Sequence, residues 1–304
     1  MGADRGPNGW LVVDKPPGLS STRVVELVRR SAGTKAGHAG TLDPLATGVL
    51  PIALGEATKT AGYATTGRKC YRFRIRWGVA RATDDREGEI IGVSPSRPSC
   101  EAVEAILPRF TGTIRQVPPT FSAIKVRGRR AYALARSGKP PVLPARPVEI
   151  SVLRLVGIPD HDHADCEALV GKGTYIRALA RDLGAALGTF AHIAELRRLS
   201  VGPFTERHAV PLDFIMEQGH ILGASGCLLP IETALDDIPA LAVTEDEAAR
   251  LRSGQKITPG RPGERADLNR LDEGAVVGAW HNRVLVALGR IESNSLRPVR
   301  VINI

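Results

Sequence analysis

Three things are missing from this 304-residue chain. No apolar run approaches the roughly 18 residues that a membrane-crossing helix needs. The first nine residues, MGADRGPNG, are polar and glycine-rich where a signal peptide would carry an apolar core. A soluble, cytoplasmic protein is therefore expected. No two of the four cysteines, Cys70, Cys100, Cys166 and Cys227, lie closer than 30 residues. That excludes a C-x-x-C zinc or redox motif and leaves reduced thiols. Acidic residues, finally, are absent from two long stretches. Between Ala105 and Val148 stand nine cations and no acid: Arg109, Arg115, Lys125, Arg127, Arg129, Arg130, Arg136, Lys139 and Arg146. Between Ala57 and Thr83 stand Lys59, Arg68, Lys69, Arg72, Arg74, Arg76 and Arg81, again without an acid.

The chain has 41 Lys and Arg against 32 Asp and Glu, a net charge of +9. The two acid-free stretches hold +16, so the remainder is −7. An ordinary solvated face is the plain reading of one such run. Two long ones point to a polyanion, and arginine suits phosphate because its planar fork binds two oxygens at once. At 43% hydrophobic and 24% charged residues, the composition is that of a globular protein and excludes disorder, collagen and coiled coil. The length fits one large domain with a smaller companion.

Trp10–Asp14 (WLVVD) reads as a buried strand stopped by Lys15-Pro16-Pro17-Gly18, with a helix behind the capping candidates Ser20–Thr22. In Tyr71–Trp77 (YRFRIRW) the alternation is strict: Tyr71, Phe73, Ile75 and Trp77 share one face of a strand, Arg72, Arg74 and Arg76 the other. Helical spacing recurs over Glu101–Phe110, over Tyr175–Leu187 after the Gly171-Lys172-Gly173 turn, and over His192–Leu199, which is expected to be a short helix. Residues 110–148, rich in proline, glycine and cations, read as a long functional excursion with one helix at its centre. Leu228–Asp237 reads as a connector. The short apolar runs from Leu241 on suggest a small β-rich domain, nearly neutral with 10 basic and 11 acidic residues from Glu232 onward. The domains are placed at 1–230 and 238–304.

Chemistry is densest in Gly37–Lys59, GHAGTLDPLATGVLPIALGEATK, where His38 and Asp43 lie in a stretch too irregular for one regular element. Two other segments imitate sites. Gly171-x-Gly173 lacks the third glycine of a dinucleotide fingerprint. His161-Asp162-His163 with Asp165, Cys166 and Glu167 looks like metal ligands, but neighbours in an extended segment face opposite ways, so a solvated loop is expected and no metal.

The Gly37–Gly48 segment resembles the G-H-x-G-x-L-D-P-x-A-x-G signature of the bacterial TruB family of tRNA pseudouridine synthases, with every fixed position filled. Further blocks similar to that family follow in order: Asp14-Lys15-Pro16 with Gly18 and Ser20, the Tyr71 strand, Ser122-Ala123-Ile124-Lys125, Gly173-Thr174-Tyr175-Ile176-Arg177, and Leu196-Arg197-Arg198-Leu199. The likeness spans about residues 10–204.

The resemblance implies an α+β pseudouridine synthase fold, a mixed, mostly antiparallel sheet with flanking helices, followed by a small β-rich, PUA-like domain. It implies an isomerase that converts uridine 55 in the T-loop of tRNA to pseudouridine by flipping the base out of its stack, with no cofactor. Asp43 then matches the nucleophile. Arg177 would pair with Asp43 and keep its pKa low, and Tyr71 would stack on the uracil and take the proton from C5. His38, Tyr175, Leu196, Lys15 and Lys59 are the further substrate-binding candidates. Lys15 would close the site wall, and Lys59 would meet a phosphate. The basic excursion corresponds to the family's thumb, which clamps the T-loop and arm. Expected partners are tRNA alone, with no guide RNA, DNA or membrane, and the chain is expected to act as a monomer. Two rival readings are a guide-RNA-dependent synthase of the dyskerin type and a non-catalytic RNA-folding protein, for which Asp43 and Arg177 would have no purpose. Arg81 departs from the residues common ahead of the family's Thr83, Asp85, Gly88 pattern.

Overall fold

The computed structural model describes residues 6–126, 128–219, 223, 225–258 and 271–303; Arg127, one of the nine thumb cations, lies outside them. The main sheet is built from β1 (Gly9–Lys15), β2 (Ala36–His38), β3 (Thr47–Leu54), β4 (Lys69–Trp77), β5 (Gly112–Gln116), β6 (Arg146–Asp160), β7 (His163–Val170) and β8 (Ala191–Val201). Its spatial order is Val210–Pro211, β1, β3, β8, β4, β7, β6, β5, with β2 beside β3. The pairs of β1 with Val210–Pro211 and of β3 with β8 are parallel; the others along this path are antiparallel.

One face of the sheet buries the principal core, in which Phe73, Ile75 and Trp77 of β4 meet Val24 and Val28 of α1 (Ser21–Ala32). As the capping signal suggested, Ser20 caps α1 by accepting from Arg23 N. The predicted helix at Glu101–Phe110 is α2 (Cys100–Ile106) with a 3-10 turn, Leu107–Phe110. The excursion carries a two-residue hairpin, Lys125–Val126 with Arg129–Arg130, and α3 (Ala131–Arg136). Next, α4 (Ile176–Ala186) lays Ile176, Leu179, Ala180 and Leu183 on the core.

The helix expected at His192–Leu199 is a strand instead, β8, in the middle of the sheet. Its Ala, Glu, Leu and Arg are good helix formers, and Ile193 and Leu196 stand at helical spacing. A bulge explains both. Ile193 lies opposite Ile75 and Leu196 opposite Phe73, so the bulge at Ala194 lets two residues three apart reach the same face.

The C-terminal unit is a four-stranded sheet in the order β9 (Ala240–Ala242), β10 (Val276–His281), β11 (Val284–Glu292), β12 (Ser295–Val301). It has a core of its own around Leu241, Val277, Val286 and Leu296. The expected connector is more than a linker: Leu228–Leu229 pairs with β1, and the 3-10 turn Ile231–Leu235 closes a second core. There Trp10 and Phe204, with ring centroids 4.9 Å apart, pack with Leu285, Leu288 and Ile302 from the C-terminal sheet. Among the described residues, no helix is long and apolar enough to cross a membrane.

Because that second core spans both sheets, Phe204→Ala should cost about 3–5 kcal/mol in a single cooperative urea transition. A loss below about 1 kcal/mol would mean that the seam is not a continuous core.

Candidate active site

The Asp43 segment is an irregular loop between β2 and β3, so its backbone must find hydrogen bonds outside any ladder. Each carbonyl from Gly40 to Pro44 has a donor. Arg198 reaches Gly40 O (Nη2, 3.0 Å) and Thr41 O (Nη1, 3.4 Å), and its Nε donates to Val49 O at 2.8 Å. The buried Ser21 hydroxyl donates to Leu42 O and accepts from Leu42 N. Asp43 O takes Ala46 N, and Pro44 O takes Gly18 N and Lys15 Nζ. Lys15 Nζ also donates to Ala46 O at 2.7 Å and to Pro16 O at 2.8 Å. Gly48 ends the loop at φ +94, where a Cβ would stand 2.3 Å from Arg198 O, so β3 and β8 approach there as only glycine permits. Leu42 and Leu45 fasten the loop to the core.

Lys15 and Arg198 are fully buried and meet only carbonyls. Burial lowers the Lys15 pKa to about 8, with Asp43 pulling it back upward. Lys15 is thus a brace beneath the Asp43 loop.

Asp43 meets Arg177 through two atoms: Nη2 donates to Oδ1 at 3.0 Å, and Nε lies 2.9 Å from Oδ2. The Arg177 side chain is 5% exposed and that of Asp43 32%, so the carboxylate faces the open cleft while its partner is sealed beneath. The guanidinium is shared. Its Nη1 donates to Thr83 O (2.8 Å) and lies 3.3 Å from Asp85 Oδ2, and its Nη2 also donates to Phe121 O (3.0 Å). Asp85 is buried, accepting from Thr83 Oγ1 and Glu87 N. Burial, more than this sharing, corrects the expectation of a low Asp43 pKa. Burial pushes the carboxyl above its usual range; Arg177 opposes that, but Asp85 draws on the same cation and adds to the rise.

Tyr71 and Arg198 are register partners across β4 and β8, as are Phe73 and Leu196, so Tyr71 and Leu196 share the face on which Arg198 holds the Asp43 loop. Tyr71 is half-buried, and its hydroxyl makes no hydrogen bond among the described residues. Leu196 is a core residue of a strand, not of a helix. His38, on β2, has a buried Nδ1 without a partner, and burial followed by Arg198 lowers its pKa, which keeps it neutral. Tyr175 stands at the start of α4, its amide and carbonyl clasped by the buried Gln116 side chain (2.9 and 3.1 Å), with Arg146 over its ring at 5.3 Å. The ring thus lies against Arg146, at the end of the excursion. Lys59 is not brought to the cleft. It sits beyond the far end of β3 and donates to Glu56 (2.6 Å) and to Val301 O of β12 (2.7 Å).

Sequence reasoning assigned no role to Asp85, Ser21, Gln116 or Arg198. Asp85 and Arg198 fall inside quoted family blocks; Ser21 stands out only as a capping candidate, whereas its hydroxyl holds Leu42, and Gln116 carries no signal. The structure also divides the two basic stretches. Arg72 and Arg154 both bind Glu167, and Arg74 binds Asp165, which neutralises much of the Ala57–Thr83 run across neighbouring strands. The would-be metal ligands Asp165 and Glu167 are thus held by arginines, Asp162 by Arg97, and His163 by Asp160. Among the described residues, no cation of the 105–148 stretch forms an ion pair. Arg115, Arg136 and Arg146 touch only carbonyls or aromatic rings.

A mixed sheet with flanking helices, an Asp–Arg pair joining the loop before β3 to α4, and a cationic excursion without ion pairs among the described residues together fit a pseudouridine synthase. The solved archaeal box H/ACA sRNP Nop10-Cbf5 complex contains a chain of the same fold, with a TM-score of 0.74 and 25% identity, covering 97% of this chain and 86% of that one. The family model for the TruB family pseudouridylate synthase N-terminal domain matches residues 28–176, and that for the tRNA pseudouridylate synthase B C-terminal domain matches 177–236. The chain is 50% identical to a tRNA pseudouridine synthase B of Rhodospirillum rubrum over 98% of its own length and 97% of the relative's. It is 51% identical to that of Caulobacter vibrioides over 97% and 96%. This chain belongs to the TruB family of pseudouridylate synthases.

The Lys15 brace carries a pH signature. The unfolded chain keeps this proton to about 10.5, whereas the native state gives it up near 8. Between those values, therefore, this group's contribution to stability rises with pH. Above pH 8 the rate should fall, as the loop loses its charged brace, without a matching drop in melting temperature due to Lys15. Parallel rate and melting profiles from pH 7 to 10 check this; a rate that stays flat refutes it.

Proposed function

We propose that this chain isomerises uridine to pseudouridine at position 55 in the T-loop of tRNA, with Asp43 as nucleophile and Arg177 and Tyr71 beside it. The observation that carries this reading is a partly exposed carboxylate, paired to a buried arginine, on a loop whose carbonyls from Gly40 to Pro44 each have a donor. Such a group meets a flipped nucleotide without rearranging, which is what a nucleophile needs. The C1′–N1 bond breaks, the uracil turns, and a C1′–C5 bond forms; C5 loses its proton and N1 regains one. Attack at C1′, attack at C6, or a glycal route are all open to Asp43. Tyr71, with a free hydroxyl on the loop side of β4, is positioned to stack on the base and take the C5 proton. Leu196 and the neutral His38 supply apolar and polar wall to the base, and Tyr175 with Arg146 lies toward the thumb.

The excursion at 110–148 would grip the phosphates of the splayed loop, and extruding the base, at about a few kcal/mol, is offset by those contacts. Its uncompensated charge supports a stand-alone enzyme rather than a guide-dependent one, despite the likeness to a chain of an H/ACA complex. Residues 1–230 serve as the catalytic domain and 238–304 as a small PUA-like companion.

Purified chain, alone, with a tRNA transcript tritiated at uridine C5 should release one equivalent of tritium; tight binding with no release would favour a guide-dependent or RNA-folding role. Asp43→Asn should abolish release while tRNA affinity stays within about threefold. Because the carboxyl titrates above its unfolded value, its charged form costs native stability at neutral pH, so the Asn variant should melt no lower than the parent. Retained activity would remove Asp43 from the mechanism. Replacing Lys125, Arg129 and Arg130 together by Ala should weaken tRNA binding and reduce the slope of log affinity against log salt by about 2. An unchanged slope would take the thumb off the phosphates.

A further inference from the structure

Asp84 is a non-glycine residue in left-handed backbone, at φ 59, between the two residues that face Arg177. Its neighbours supply Thr83 O and Asp85 Oδ2 to that guanidinium. Its own carbonyl accepts Ile193 N, which ties the turn to β8. A carboxylate side chain tolerates this conformation better than most, but still at a cost that surrounding contacts must offset.

The compensating contact comes from Arg181, one helical turn beyond Arg177 on α4. Its Nη1 donates to Asp84 Oδ2 at 2.9 Å, its Nη2 to Val117 O at 2.8 Å, and its Nε to Asp182 Oδ1 at 2.9 Å. Two cations four apart on one helix repel unless each has its own acid. Here the Thr83–Asp85 turn supplies both, Asp85 to Arg177 and Asp84 to Arg181. The same two arginines hold the root of the thumb, Arg177 at Phe121 O and Arg181 at Val117 O.

We infer that Arg181 is a positioning residue for the reaction: by joining the left-handed turn at Asp84 to the thumb root at Val117, it sets the orientation in which Arg177 meets Asp43. Its hydrogen bonds among the described residues go to Asp84, Val117 and Asp182, and none goes to Asp43. The inference rests on the uridine-isomerase reading. The unsubstituted chain in the tritium-release assay tests that reading separately.

The test is a double-variant cycle on the full chain. Arg181→Met should lower the single-turnover rate about tenfold, with tRNA affinity changed less than about threefold, and should move the acid limb of the rate profile upward as Arg177 loosens from Asp43. In the Asp84→Gly background glycine holds the turn unaided, so the same Arg181→Met replacement should cost less than about threefold. If Arg181→Met does not fold by thermal melting, Arg181→Lys replaces it; one ammonium cannot serve both Asp84 and Val117, and an intermediate rate is expected. The inference is overturned by a parental rate, by a loss that resides entirely in tRNA affinity, or by an equal loss in both backgrounds.

Discussion

Arg177 is a cation sealed from water between two carboxylates, and the site is organised around how that charge is satisfied. A buried guanidinium left with no partner would be prohibitive, typically by about 3–5 kcal/mol, and dividing the charge means that losing any one partner leaves the others in place. Asp43, Asp85, Thr83 O and Phe121 O each take part of the charge. They come from three separate places in the chain, the loop before β3, the turn after β4 and the root of the thumb, all meeting at the start of α4. The arginine thus requires the fold to be complete before it can be buried. The divided charge also leaves Asp43 a stronger base than a carboxylate with an arginine to itself, and it is the only one of the two acids open to the cleft.

The same economy governs the loop that carries Asp43. Lys15 and Arg198 are buried without an acid, and they are tolerable because backbone carbonyls of an irregular segment need donors as much as the cations need acceptors. A loop held this way is fixed in place while presenting one side chain. Preorganisation of that kind lets a nucleophile act without first reordering its surroundings. The neutral state of His38 and the lowered pKa of Lys15 follow first from burial, with the Arg198 charge adding to both.

Outside the site, net charge proved a poor guide until partners were known. The two acid-free stretches look alike in sequence, yet strand pairing sets Glu167 and Asp165 of β7 opposite Arg72 and Arg74 of β4, so one stretch is largely neutralised. The other projects from the sheet and meets no acid among the described residues. Among the described residues, unpaired positive charge is therefore concentrated on the excursion rather than on the sheet face.

Local pattern was enough for the elements whose signal is local. The alternation of Tyr71–Trp77, the Ser20 cap, the Lys15-Pro16-Pro17-Gly18 stop and the helix after Gly173 are each set by backbone sterics and periodicity within a few residues. Asp43 and Arg177 were legible only through the family resemblance, because nothing local marks an Asp-Pro in a turn as a nucleophile. Tertiary structure decided the rest. A bulge made β8 imitate a helix, long-range burial bound the C-terminal sheet to Trp10 and Phe204, and Lys59 was turned toward β12 instead of the cleft. The pKa of Asp43 and the work of Ser21, Gln116, Asp85 and Arg198 depend on groups distant in sequence. Periodicity acts over one or two turns of chain, whereas desolvation and charge pairing act through space, and only the folded chain says which groups meet.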